Sequence, residues 1–246
     1  MKDAISIIYK DKNFLALYKP AGTLVHPALI QNYDSGTVVD WLLKHYPEVK
    51  SVGDPSTSSG QVNFRPGIVH RLDKDTSGVI LVARNQNYFN YLKKLFQNHE
   101  IKKTYLALVH GKLEPKSGVI TKPIKFKSGT TKRTVWKGKS EKEAITEYKV
   151  IKFLKLKANK KEIFSLVMVM PKTGRTHQIR VHLASIGHPI VGDSLYGSRG
   201  NPFNLNRQFL HAESLEFSSE DGKRIRIESE LPDELRRVID DLDTKI

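Results

Sequence analysis

The chain has 246 residues, 39% hydrophobic and 9% aromatic, which is enough to bury a full core and too apolar for a disordered chain. Lys and Arg number 41 against 26 Asp and Glu, a net charge of +15 spread along the sequence, which attracts polyanions and nucleic acid first among them. Cysteine is absent, which excludes disulfides, thiol nucleophiles and thiolate metal sites.

The N-terminal stretch MKDAISIIYKDKNF is charged throughout and has the features of neither a signal peptide nor a lipidation site. No apolar run approaches the roughly 20 residues that cross a bilayer, so a soluble, cytoplasmic protein is expected. ISIIY (5–9) and FLALYKP (14–20) predict two strands around the turn KDKN. TVVDWLLKHYP (37–47) predicts a helix, with Val38, Trp41 and Leu42 at helical spacing and Pro47 ending it. Residues 51–66, rich in Ser, Gly and Pro, predict a flexible loop. GVILVAR (78–84) predicts a buried strand, and 85–100 an amphipathic helix capped by Asn85, with Tyr88, Leu92 and Leu95 on one face.

KTYLALVHG (103–111) predicts a strand closed by glycine, and the basic stretch 126–142 holds an exposed loop, KSGTTKRTVWKGK, with Trp136. Residues 144–154 and 162–171 alternate well enough to pair as antiparallel strands. THQIRVHLASIG (176–187) predicts a helix with Ile179, Leu183 and Ile186 on one face, opened by Gly174 with Thr173 or Thr176. Strands follow at 209–217 and 224–229, then a helix at 232–242. This order predicts an α+β fold built on a mixed, mostly antiparallel sheet.

GIVHRLDKDTSG (67–78) stands apart. An apolar run delivers His70, Arg71 and Asp73 to one turn, and another apolar strand leaves it. The plain reading is an acidic turn with an Arg71–Asp73 ion pair. The chemical reading is a carboxylate kept ionised by cationic neighbours, fit to act as base or nucleophile. DKDTS also resembles the D-x-D motif of magnesium-dependent phosphotransferases, but His70, Arg71 and Leu72 replace the clean apolar strand, and no downstream acidic ligands stand out. A metal site is disfavoured as well. His177 and His182 are five apart, about 140° around a helix, and the other histidines are scattered without ligand spacing.

HRLDKDTSG resembles the signature of the RluA-type pseudouridine synthases, which isomerise uridine in RNA. KPAG-LVHP (19–27), KTYLALVHG, GRTHQIRVHLASIGHPIVGDSLYG (174–197) and FLHAESLEF match that family in the expected order, so the resemblance covers residues from about 5 to 235. It implies the pseudouridine synthase fold, a long sheet flanked by helices with a central active-site cleft. It also implies that Asp73 is the catalytic aspartate, that Tyr105 packs on the target base, and that Arg180 pairs with the aspartate. Arg71 would hold the flipped nucleotide. His70, His177 and Ile179 complete the expected substrate-binding set, and Asp75 is read as stabilising the turn. No cofactor or metal is implied, because the reaction involves no redox step and transfers no group to another molecule. The expected partner is ribosomal or transfer RNA, with a monomer as the acting form and no obligate protein partner. Eighteen residues precede Lys19, so one catalytic domain over 1–246 is expected, without the N-terminal RNA-binding domain of many relatives. The alternative is an RNA-binding protein of the same fold without turnover.

Overall fold

The structure, a computed structural model, describes residues 4–26, 36–54, 65–126, 132–136, 138–157, 161–197 and 200–243. In chain order its elements are β1 (Ser6–Lys10), β2 (Phe14–Lys19), α1 (Val38–His45), β3 (Ser77–Ala83), α2 (Gln86–Gln97), β4 (Lys102–His110), β5 (Ser117–Ile120) and β6 (Ile124–Phe126). There follow β7 (Arg133–Thr134), β8 (Lys139–Lys142), β9 (Thr146–Leu156), β10 (Ile163–Pro171), α3 (Gln178–Ser185), β11 (Leu210–Ser218), β12 (Arg224–Glu228), α4 (Asp233–Asp240) and β13 (Leu242–Asp243). They gather into two compact units, Met1–Lys102 with Ser214–Glu230, and Lys103–Glu213 with Leu231–Ile246.

In the first unit β1, β2 and β3 pair antiparallel in sequence order, with Leu17 opposite Ile80. Side chains alternate across the strands. Leu15, Leu17, Ile80 and Val82 therefore meet Val38, Val39 and Leu42 of α1. Phe14, Ala16, Val79, Leu81 and Ala83 pack with Tyr88, Phe89 and Leu92 of α2. A strand covered on both faces reads as an unbroken apolar run, which is why GVILVA shows no alternation. Each large side chain so buried contributes about 1.5–3 kcal/mol. The β11–β12 hairpin adds Leu215, Phe217 and Ile227 to the α2 side.

Both helices of this unit start on side-chain caps. Thr37 and Asp40 form a reciprocal capping box on α1, and Asn85 accepts from the Tyr88 N–H on α2, as expected. Pro47 does more than end α1. Its fixed φ suits a first helical position, and it opens a 3₁₀ turn over Pro47–Ser51. Of the expected loop 51–66, residues 55–64 lie outside the described residues.

In the second unit β10 pairs antiparallel with β4 and β9, and β5 and β13 pair antiparallel with β9. Leu108, Phe164 and Val167 of this sheet pack with Ile179 and Leu183 of α3 and Leu235 and Val238 of α4. Three expectations are corrected here. The stretch 126–142 is not simply a loop: its described parts form a small sheet in which β6 pairs with β7 and β8. The last helix stops at Asp240, and Leu242–Asp243 becomes a strand because β9 offers it a free edge. The helix expected over 176–187 is shorter, because His177 sits in the left-handed region at φ 57 and cannot begin it.

The class is α+β as expected, with antiparallel pairing inside each unit and α1–α4 packed on the strands. Among the described residues no helix is long and apolar enough to cross a membrane.

Candidate active site

The aspartate turn is built within the first unit. Gly67 enters it at φ +68, so close to β3 that a Cβ would lie 2.4 Å from the Ala83 carbonyl oxygen. Only glycine fits there. Its N–H donates to the Val52 carbonyl, and its carbonyl accepts from the Ala83 N–H. Three residues on, His70 Nε2 accepts the Leu81 N–H at 2.8 Å, and its ring stacks on Phe96 at 4.5 Å. An accepting Nε2 leaves the proton of the neutral ring on Nδ1. Arg71 is exposed, Leu72 is buried, and Asp73 is half-buried. The Asp73 carbonyl accepts from the Thr76 N–H at 3.1 Å, closing the turn that leads into β3.

Lys19 locks this turn from below. It is fully buried at the end of β2, and its ammonium donates at 2.8 Å to the carbonyls of Pro20, Thr23 and Lys74. The Gly22 N–H also donates to the Lys74 carbonyl. The KPAG turn and the Asp73 turn are thus one hydrogen-bonded assembly. The bonds that hold this turn come from the Lys19 ammonium and from the N–H groups of Gly22 and Thr76.

The other expected residues lie in the second unit. Tyr105, half-buried on β4 opposite Val169, packs against the core cluster that holds Ile179. Arg180 on α3 is buried. Its Nε and Nη2 donate to the two carboxylate oxygens of Asp193 at 2.7 and 2.9 Å. Asp193 Oδ1 also accepts the N–H groups of Leu195 and Tyr196. The Arg180 guanidinium lies 5.3 Å from the centre of the Tyr196 ring, and the Tyr196 hydroxyl is 3.0 Å from His177 Nδ1. Arg180, His177, Asp193 and Tyr196 therefore form one cluster. Asp73 belongs to the first unit, and Tyr105, Arg180, His177 and Ile179 to the second.

Burial pulls the Asp193 carboxyl upward, but the Arg180 hydrogen bonds and charge, with the two backbone donors, outweigh it and hold the group below the usual carboxylate range. Lys103 is buried on β4, with its ammonium 3.1 Å from the Lys172 carbonyl. Burial and the Lys172 charge push it down to about 8. His182 is fully buried between Thr146 Oγ1 and the Lys122 carbonyl, and burial lowers it too. It is a core histidine. Among the described residues no three His, Cys, Asp or Glu side chains gather to hold a metal.

Comparison with known proteins decides the family. The family model of RNA pseudouridylate synthase matches residues 13–185. The chain belongs to the RNA pseudouridylate synthase family. An uncharacterized RNA pseudouridine synthase of Aquifex aeolicus is 42% identical over 80% of the chain, which spans 57% of that protein's length. A ribosomal large subunit pseudouridine synthase D of Borreliella burgdorferi is 36% identical over 97% of the chain and 72% of its own length. Among solved structures, human RNA pseudouridylate synthase domain containing 1 superposes with a TM-score of 0.72 at 25% identity, over 93% of this chain and 84% of that one.

The family motifs also contain residues whose local work the sequence did not reveal. Lys19, Gln178, Asp193 and Tyr196 all fall in them. Gln178 is buried. It accepts from the Thr173 hydroxyl and the Arg175 N–H, and it donates to the Ile145 carbonyl and Thr146 Oγ1. The available signal was a polar residue at every second position of QIRVH in a helix otherwise apolar. Such a helix is buried all round and needs polar partners from elsewhere in the chain.

Proposed function

We propose that the protein is an RNA pseudouridine synthase, an isomerase that converts specific uridines of structured ribosomal or transfer RNA to pseudouridine, with Asp73 as its catalytic aspartate. The observation that carries this reading is the Asp73 turn. A half-buried carboxylate sits on a backbone anchored by the Lys19 ammonium, three residues beyond a histidine fixed by the Leu81 N–H and Phe96. Catalytic groups need such anchoring, since a misplacement of about 1 Å can cost about 100-fold in rate.

The reaction breaks the bond between ribose C1′ and uracil N1 and forms one between C1′ and C5. N1 gains a proton and C5 loses one, so atoms balance without a cofactor. An ionised carboxylate serves each available route: attack on C1′, attack on the uracil ring, or removal of a ribose proton. Tyr105 offers an aromatic face to the freed uracil and a hydroxyl for the C5 proton. Arg180, the basic residue of the set, brings a buried positive charge held in place by Asp193. Arg71, with His70, His177 and Ile179, holds the nucleotide. A target inside a helix must be flipped out at a cost of a few kcal/mol, so loops are favoured substrates. The net charge of +15 supports attraction to the RNA backbone. We place the enzyme in the cytoplasm, acting as a monomer.

The test is tritium release from RNA labelled at uridine C5, offered as ribosomal and transfer RNA separately. The name of the Borreliella relative makes large-subunit ribosomal RNA the first substrate to try. Release by the wild type and none by Asp73→Asn, with RNA binding kept, is the expected result. Equal release by the mutant sinks the role of Asp73. Tight RNA binding without release from any RNA favours a binding protein.

A further inference from the structure

Two basic side chains of the first unit, His26 and Arg65, have no part in the chemistry above, and the charge of Arg71, which does, acts on both. His26 follows the Leu24–Val25 segment, whose carbonyls accept the N–H groups of Val38 and Val39 at the start of α1. Arg65 opens the turn in which its carbonyl accepts the Ile68 N–H, with Gly67 pinned between Val52 and Ala83. Arg71 stands exposed between the fixed His70 and the buried Leu72. All three backbones are therefore anchored.

Their side chains lack protein partners. His26 Nδ1 and Arg65 Nε are buried without a hydrogen-bond partner, and no side-chain hydrogen bond or ion pair forms at any of the three residues among those described. A buried donor without a partner is costly, and native proteins keep few of them. The three also gather like charge. Burial, then the charges of Arg65 and Arg71, lower the His26 pKa to about 4. Burial and the Arg71 charge lower that of Arg65. No carboxylate of the described residues contributes to either shift. Mutually repelling donors held together without an acid await an anion.

We propose that His26, Arg65 and Arg71 form a binding site for a backbone phosphate of the RNA substrate. Guanidinium forks match phosphate oxygens in geometry, and a partly buried anion recovers the hydrogen bonds that the His26 and Arg65 nitrogens lack. The site lies on the same unit as the Asp73 turn, and Arg71 is two residues from Asp73, so the phosphate belongs to a nucleotide near the target uridine. The RNA occupant rests on the proposed function; the anion site rests on the three side chains alone.

Two measurements on the full chain separate these. In the first, the His26 ring is followed by NMR through a pH titration in chloride, then with inorganic phosphate at equal ionic strength. A bound anion favours the protonated ring, so phosphate should raise the His26 pKa, and Arg65→Gln should remove the rise. A titration indifferent to phosphate overturns the site. In the second, RNA affinity is measured against salt. Arg65→Gln should weaken binding about tenfold or more and flatten the slope of log K on log salt by about 1, while Arg65→Lys keeps most of the slope and exposed Arg226→Gln changes neither. Wild-type affinity and slope in Arg65→Gln, in a protein that binds and isomerises RNA, overturn the site but leave the enzyme. No RNA binding by the wild type overturns the RNA occupant together with the reading it rests on.

Discussion

The buried ammonium of Lys19 lies 2.8 Å from the carbonyl of Lys74, the residue after Asp73, across 55 positions of sequence. Two motifs far apart in the chain are thereby one structural object. Lys19 also satisfies the Pro20 and Thr23 carbonyls, so its removal takes a charged donor from three carbonyls, and the Lys74 carbonyl keeps the Gly22 N–H. Lys19→Met, of similar length, should cost about 2–4 kcal/mol in urea unfolding. In tritium-release kinetics it should lower kcat more than it raises KM, because the loosened turn misplaces Asp73 while the RNA-binding surface persists. Wild-type kcat in a folded Lys19→Met protein would show that the turn needs no such lock.

Tyr105 is half-buried on β4 and packs on the second core. Tyr105→Phe keeps the ring and should leave stability within about 0.5–1.5 kcal/mol. If the hydroxyl moves the C5 proton, release should fall by about 100-fold or more with RNA affinity kept. Full activity in the variant would leave the ring a stacking surface alone.

Asp193 holds Arg180 through two hydrogen bonds. Asp193→Asn takes the Asp193 charge away from a buried guanidinium, a loss of about 3–5 kcal/mol. The pH dependence follows from the lowered carboxyl. The unfolded group binds its proton near pH 3.9 and the folded group at lower pH. The stabilisation is therefore fully present above about pH 4 and is lost as pH falls through the folded value. Unfolding followed from pH 6 to pH 2 should show a shallower acid loss in Asp193→Asn than in the wild type. Parallel curves would mean that the pair contributes nothing to the pH response.

Lys103 gives the opposite signature. Its folded pKa is about 8, while the unfolded side chain keeps its proton to about 10.4. Between those values the unfolded state binds more protons, so this group makes stability rise with pH; below pH 8 its burial penalty is at full strength. Lys103→Met should remove that alkaline rise. In the wild type, carbon-13 methylated Lys103 should titrate near 8, well below the exposed lysines. A resonance that titrates with the exposed lysines would refute its burial.

The sequence determined the elements whose evidence is local. Alternation and apolar runs located β1, β2, β3, β9 and β10, and Asn85 marked the start of α2 by its own side chain. It also determined the family, because HRLD, KTY and HQIR are local strings. Only the tertiary structure decided what required a distant partner. Leu242–Asp243 became a strand because β9 had an edge to offer, and the small β6–β8 sheet formed inside a stretch whose composition reads as loop. Gln178, Arg180 and His182 are polar side chains of one helix, yet all three are buried, since Ile145, Thr146, Asp193 and Lys122 meet them from elsewhere in the chain. Lys19 is the sharpest case. A lysine beside a proline reads as solvent-exposed, and three carbonyls brought together by the fold make it a buried anchor. A hydrogen-bond partner is a property of three-dimensional proximity, and composition and periodicity carry no record of it.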